Sequence, residues 1–108
     1  PECFVSTGVA RDIPLVIRGM EDQKEFREAV LEGNGTLDSG LIQKEAVGVA
    51  KTIVTENFDV GAILLDCCEL SPYARSIQKA VQLPVFDSVT MINYVHSVLV
   101  RTEFSGFM

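Results

Sequence analysis

Apolar and polar positions along the chain alternate between two periods, and the changes of period mark out the elements. Pro14-Leu15-Val16-Ile17 is a short β-branched apolar run and predicts a strand. Asp22 with Glu25 three residues on predicts a boxed helix start, and Phe26, Ala29 and Val30 put one apolar stripe on that helix. Gly33-Asn34-Gly35 ends it with residues that tolerate positive φ. Asp38 or Ser39 then caps a longer helix with Ile42, Ala46, Val49, Ala50 and Ile53 on one face, closed at Asn57. The ordinary reading of that stripe is packing against a sheet.

Val60 to Leu65 is an uncharged apolar run, the pattern of a strand buried on both faces in a parallel sheet. Asp66, Cys67 and Cys68 stand at its carboxyl end. Ser71-Pro72 predicts the next helix start, because the hydroxyl can cap and the fixed φ of proline suits the first helical position. Ala74, Ile77 and Val81 come next at helical spacing, Leu83-Pro84 ends the run, and Pro84-Val85-Phe86 opens another strand. Asp87 and Ser88 cap a last helix to about Val100. Its Val89, Met91, Ile92, Tyr94, Val95, Val98 and Leu99 cover more than one face, so it is expected to be buried on most sides, against a partner if not against its own chain. Residues 1–7 read as the tail of a helix stopped by Gly8. Strands alternating with crossover helices predict an α/β fold: a three-layer, doubly wound domain with a short parallel sheet of three to four strands. The whole of 1–108 is expected to form one such domain.

Composition narrows the function classes. With 108 residues, 47% of them hydrophobic, the chain has the material for a core. A net charge of −6 argues against nucleic acid and anionic membranes as partners. No apolar run reaches the length of a membrane span. Three cysteines, two of them adjacent, do not make a disulfide framework, and a cytoplasmic location is expected. A chain opening at Pro1 without methionine is what a fragment or a processed polypeptide would show.

The candidate chemistry is at Cys67. Ligands of open α/β sheets bind beyond the carboxyl ends of the strands, and a thiolate is favoured beside a helix amino end or a cation. A nucleophile or proton-transfer group and a small buried hydrophobe are equally good readings of Cys67 from position alone. For Cys68 and Cys3 the structural reading is the stronger. Other thiol chemistries fail on spacing. A cysteine-phosphate loop needs an arginine six residues after the thiol; counting from Cys68 that position is Ala74. Zinc asks for about four ligands, and one histidine (His96), two vicinal thiols and Cys3 are a poor set. No glycine-rich phosphate loop occurs. No metal and no cofactor is expected.

The stretch Leu65-Asp66-Cys67-Cys68-Glu69-Leu70-Ser71-Pro72-Tyr73-Ala74, then Ile77-Gln78, Leu83-Pro84-Val85-Phe86-Asp87 and Val89-Thr90, resembles the second half of the aspartate/glutamate racemase family. Glu25-Phe26-Arg27, Leu31-Glu32, Gly35 and Leu37-Asp38 also look like that family. Cys68 stands where the family usually has threonine, and Asp66 where it has glutamate. The resemblance implies one lobe of a two-lobed, cofactor-independent amino-acid isomerase, the lobe that forms its C-terminal half. Cys67 would move the α-proton, and Cys68, Glu69, Ser71 and Asp87 would contact a small amino acid or hydantoin-like substrate. A racemase needs an opposed thiol from a first lobe, so the chain alone is expected to be inactive, and to be a homo-oligomer or to lack its N-terminal lobe. Two alternatives stand beside this: a non-catalytic ligand-binding remnant of the fold, and a receiver-like signalling domain with Asp66 as phosphoacceptor. The second lacks the lysine that a receiver places after its last strand.

Overall fold

The computed structural model describes residues 6–33 and 38–106. Its elements, in chain order, begin with a helical turn α1 (Lys24–Phe26) that continues as a π-helical turn (Arg27–Leu31). Next come α2 (Ser39–Glu56), β1 (Ile63–Leu64), a 3-10 helix (Cys68–Tyr73), α3 (Ala74–Val81), β2 (Val85–Phe86) and α4 (Ser88–Leu99). The two strands are parallel, with Ile63 opposite Val85 and Leu64 opposite Phe86. This is a mixed α/β arrangement around a small parallel sheet.

Local signals place most of the helix ends. Asp38 caps α2, its carboxylate accepting from the Leu41 N–H at 3.1 Å. Asp87 caps α4 in a full capping box with Thr90. Gly33 takes φ +66° just after the first helical segment, a conformation that costs glycine little. Two starts differ from expectation. No side chain of its own caps α1; instead the Glu45 carboxylate of α2 accepts from the Glu25 and Phe26 N–H groups at 3.0 and 2.9 Å. A partner brought close by tertiary packing replaces the local box. Ser71-Pro72 does not open an α-helix either. Pro72 lies inside the 3-10 helix, whose φ it fits equally well, and α3 begins at Ala74.

The core sits on one side of the sheet. Ile42, Ala46 and Ala50 of α2 and Ile77 of α3 pack on Ile63 and Leu65, with Leu70, Tyr73, Phe26 and Met20 closing the cluster. Ile42 and Ile77 are the most deeply buried, at 1% exposure each. The α2 stripe therefore faces the sheet as its spacing predicts.

The other side of the sheet corrects the expected three layers. Leu64 and Phe86, side by side in register, are exposed, and α4 has no buried residue. Only two strands are paired among the described residues, not three to four. Leu15, Val16 and Ile17, expected as a strand, run exposed and outside the sheet. A β-branched run becomes a strand only when an edge is in reach to bond its backbone. Their neighbour Arg18 instead pairs on the surface with Glu56 of α2. The expected helix tail over residues 1–7 falls mostly outside the described residues, as do Cys3, Asn34, Gly35 and Leu37. No helix among the described residues is long and apolar enough to cross a membrane.

Candidate functional site

The two strands end at the same level. The Ile63 N–H donates to the Pro84 carbonyl at 2.9 Å and the Leu65 N–H to the Phe86 carbonyl at 2.8 Å. That last bond sets Asp66 and Asp87 next on adjacent strands, each at a carboxyl end. The chain leaves β1 through Asp66 and Cys67 and turns at once into the 3-10 helix. Cys67 stays extended, with φ −86° and ψ 124°, and its carbonyl accepts the first bond of the turn from the Leu70 N–H at 3.0 Å. Buried Leu70 and Tyr73 hold the turn to the core, and the Ser39 hydroxyl meets the Tyr73 phenol at 3.2 Å.

Along this turn, side chains differ in exposure. Cys67 is half-buried and leans on the core, Cys68 is exposed, and both are free thiols. Asp66 and Glu69 are exposed. Ser71 is half-buried, and its Oγ is out of contact with solvent. Asp87 approaches from the end of β2 and is the one buried charged residue among those described, at 6% exposure. The 3-10 turn thus brings together Cys67, Cys68, Glu69 and Ser71, with Asp87 behind them.

Asp87 titrates below the ordinary carboxylate range. The Thr90 N–H, 2.8 Å away, is the main cause. Burial opposes it, and the Thr90 hydroxyl, the Ser71 hydroxyl and the Val89 N–H add to the lowering. Charge at a buried carboxylate survives where backbone N–H groups solvate it in place of water. The Ser71 Oγ is out of contact with solvent and has no hydrogen-bond partner.

Two shallow depressions lie elsewhere. One runs along the outer face of α2 between Gln43 and Lys51; the other is at the end of α3, between Arg75 and Pro84. Neither includes Cys67, and chemistry, not concavity, selects the turn. Among the described residues no group of three His, Cys, Asp or Glu side chains is placed to hold a metal ion. His96 is exposed on α4. Glu45 is a residue that sequence reasoning passed over, and Thr90 was noted there only as part of the family-like stretch, without its role in the cap. Thr90 could have been found as the third residue after the Asp87 cap, whereas Glu45 has no local signal.

No family model matches the chain, and no solved structure matches it. Relatives of known name do. The chain is 37% identical over 81 residues to dimethylsulfoniopropionate lyase 5 of Emiliania huxleyi (strain CCMP1516), covering 75% of this chain and 16% of that protein. It is 35% identical over 96 residues to dimethylsulfoniopropionate lyase 7 of the same organism, covering 85% of this chain and 27% of the relative. A dimethylsulfoniopropionate lyase of Durusdinium sp. clade D is 33% identical over 79 residues, 73% of this chain and 26% of its own. The chain therefore spans about a sixth to a quarter of the length of these relatives.

These names overturn the racemase resemblance. The expectations of an isomerase, of a half racemase, and of an amino acid or hydantoin as substrate are not supported: the relatives are named lyases of dimethylsulfoniopropionate. The physical reason is that the motif describes a thiol at a strand end before a helical turn. That arrangement serves any reaction that starts by taking a proton beside a carboxylate, and the motif leaves the later steps of the reaction open.

Proposed function

We propose that this chain supplies the thiol-bearing turn of a dimethylsulfoniopropionate lyase, with Cys67 as the base. Dimethylsulfoniopropionate carries a carboxylate at one end and a sulfonium cation at the other. The Cys67 thiolate takes a proton from the carbon next to the carboxylate. Its C–H electron pair becomes the new C=C bond, and the C–S pair leaves with sulfur. The products are acrylate and neutral dimethyl sulfide, with the proton on the thiol. Acid–base assistance of this kind is worth about 10²–10⁴-fold in rate.

The observation that carries this reading is the similarity to lyases over 73–85% of the chain, a span that includes most of its elements. Mechanism agrees with it. Racemisation needs two opposed proton-transfer groups, whereas elimination of a neutral leaving group needs one base. Cys67 on the described turn can be that base. A sulfonium has no N–H to donate, so only charge can recognise it. The exposed carboxylates of Asp66 and Glu69, on either side of the thiols, provide that charge. Cys68, exposed beside Cys67, lines the substrate side. Backbone N–H groups at the start of the turn are free for the substrate carboxylate by the ordinary logic of a helix start.

The test is headspace measurement of dimethyl sulfide released from dimethylsulfoniopropionate by the polypeptide carrying this sequence. Equimolar dimethyl sulfide and acrylate are expected. A protein that consumes dimethylsulfoniopropionate without forming acrylate would overturn the elimination.

A further inference from the structure

The thiol turn is a short 3-10 helix, and its shape depends on what holds its two ends. Helices of this kind have poorer hydrogen-bond geometry than α-helices and rarely persist beyond a few residues. At the front, the Leu65 N–H donates to the Phe86 carbonyl, two residues before Cys67. At the back stands Tyr73, the last residue of the turn, at 4% exposure. Its ring belongs to the core with Ile42 and Ile77, and a phenylalanine would fill that place as well. What phenylalanine lacks is the hydroxyl, and a buried tyrosine hydroxyl needs a partner. That partner is Ser39, 34 residues earlier, whose hydroxyl donates to the Tyr73 phenol oxygen at 3.2 Å. Among the described residues, this is the one side-chain hydrogen bond from Cys68–Tyr73 to another element.

Ser39 is the first residue of α2, directly after the Asp38 cap. Capping does not explain its bond to Tyr73, because Asp38 already supplies the side-chain oxygen for that helix start. The bond instead joins the start of α2, fixed by its cap, to the end of the thiol turn, fixed by its ring. We propose that Ser39 is a positioning residue that acts through Tyr73 to hold the 3-10 turn in place and so fix the presentation of Cys67. This rests on Cys67 being the reacting group of the proposed lyase. The two partners are unequal, Ser39 exposed and Tyr73 buried, and that gives the tie a signature. Without the phenol oxygen, the Ser39 hydroxyl turns to water at little loss. Without the Ser39 hydroxyl, the phenol is left buried and unpaired, which is the costly case, and the end of the turn must shift to wet it.

Ser39→Ala, Tyr73→Phe and the pair together read this out. The measurement is iodoacetamide labelling of the folded polypeptide carrying this sequence, with the exposed Cys68 as internal reference. Ser39→Ala is expected to raise the ratio of Cys67 to Cys68 labelling by about threefold or more, and Tyr73→Phe to raise it less. The pair should match Tyr73→Phe alone, so that the second substitution reverses part of the first. In the lyase assay, Ser39→Ala should lower kcat by roughly tenfold with little change in KM, as for a misplaced catalytic group. Ser39→Thr, which keeps a hydroxyl, should restore it. Asp38→Ala weakens the same helix start without touching the phenol, so it should lower the melting temperature and leave the labelling ratio alone. A ratio unchanged in Ser39→Ala, one raised as much by Asp38→Ala, or effects that multiply in the pair would overturn the proposal. The labelling ratio reports on the tie even if Cys67→Ala retains lyase activity, so failure of the site reading is seen separately.

Discussion

Helices α2 and α4 begin alike and end up in opposite surroundings. Each opens on an aspartate whose side chain accepts from the backbone three residues later, at 3.1 Å in α2 and 2.8 Å in α4. Each then carries apolar residues at helical spacing. The α2 stripe is buried, with Ile42 at 1% and Ala46 and Ala50 at 4% exposure. The more apolar α4 buries nothing, and Met91, Val95 and Leu99 stand open at 63%, 49% and 77%. Capping is a local matter and works in both. Burial depends on what lies across the helix, and only α2 has the sheet opposite it.

Substitutions in the buried stripe should have the largest effects. Ile42→Ala or Ile77→Ala removes a side chain at 1% exposure and should cost about 2–5 kcal/mol in denaturant unfolding. The same truncation at Val95 should cost less than about 0.5 kcal/mol. Equal losses at the two places would break the comparison.

The caps come next. Asp87→Ala should lose about 1–2 kcal/mol, and Asp38→Ala, at an exposed cap, nearer 0.5. Asp87 also makes stability depend on pH. Its pKa is lower folded than unfolded, so the folded state gains wherever the unfolded carboxylate is ionised. That gain is fully present above the unfolded value of about 4 and is lost as pH falls through the depressed folded value. Acid titration of unfolding stability should show this extra loss in the parent and not in Asp87→Asn. The same slope in both would remove Asp87 as the cause.

The smallest effects belong on α4. Met91→Ser and Tyr94→Ser remove apolar surface already in water and should move stability by less than about 0.5 kcal/mol. A large loss, measured by denaturant unfolding at low concentration, would mean that α4 is covered in solution.

The same contrast explains what could be read in advance. Asp38, Asp87, Gly33 and the α2 stripe were legible because their signals are local. The parallel pairing of the Val60 and Val85 runs was legible from an uncharged strand and a crossover helix between them. Leu15-Val16-Ile17 was not, since a strand needs an edge to bond. Glu45 was not, because its partners are on another helix. The thiol turn was legible as a place: Cys67 at a strand end, before a helical turn. Its chemistry was not, because removing a proton beside a carboxylate is the first step of both racemisation and elimination. On the proposed reading the motif fits that step alone, and the outcome depends on whether the substrate carries a leaving group.

The two neighbouring thiols therefore provide the most direct test. Cys67 is half-buried at the strand end and Cys68 is exposed one residue on, so the account makes them unequal. Release of dimethyl sulfide from dimethylsulfoniopropionate should fall by about 10²–10⁴-fold in Cys67→Ala and by far less in Cys68→Ala. Undiminished release from Cys67→Ala, or a greater loss from Cys68→Ala, would contradict Cys67 as the base.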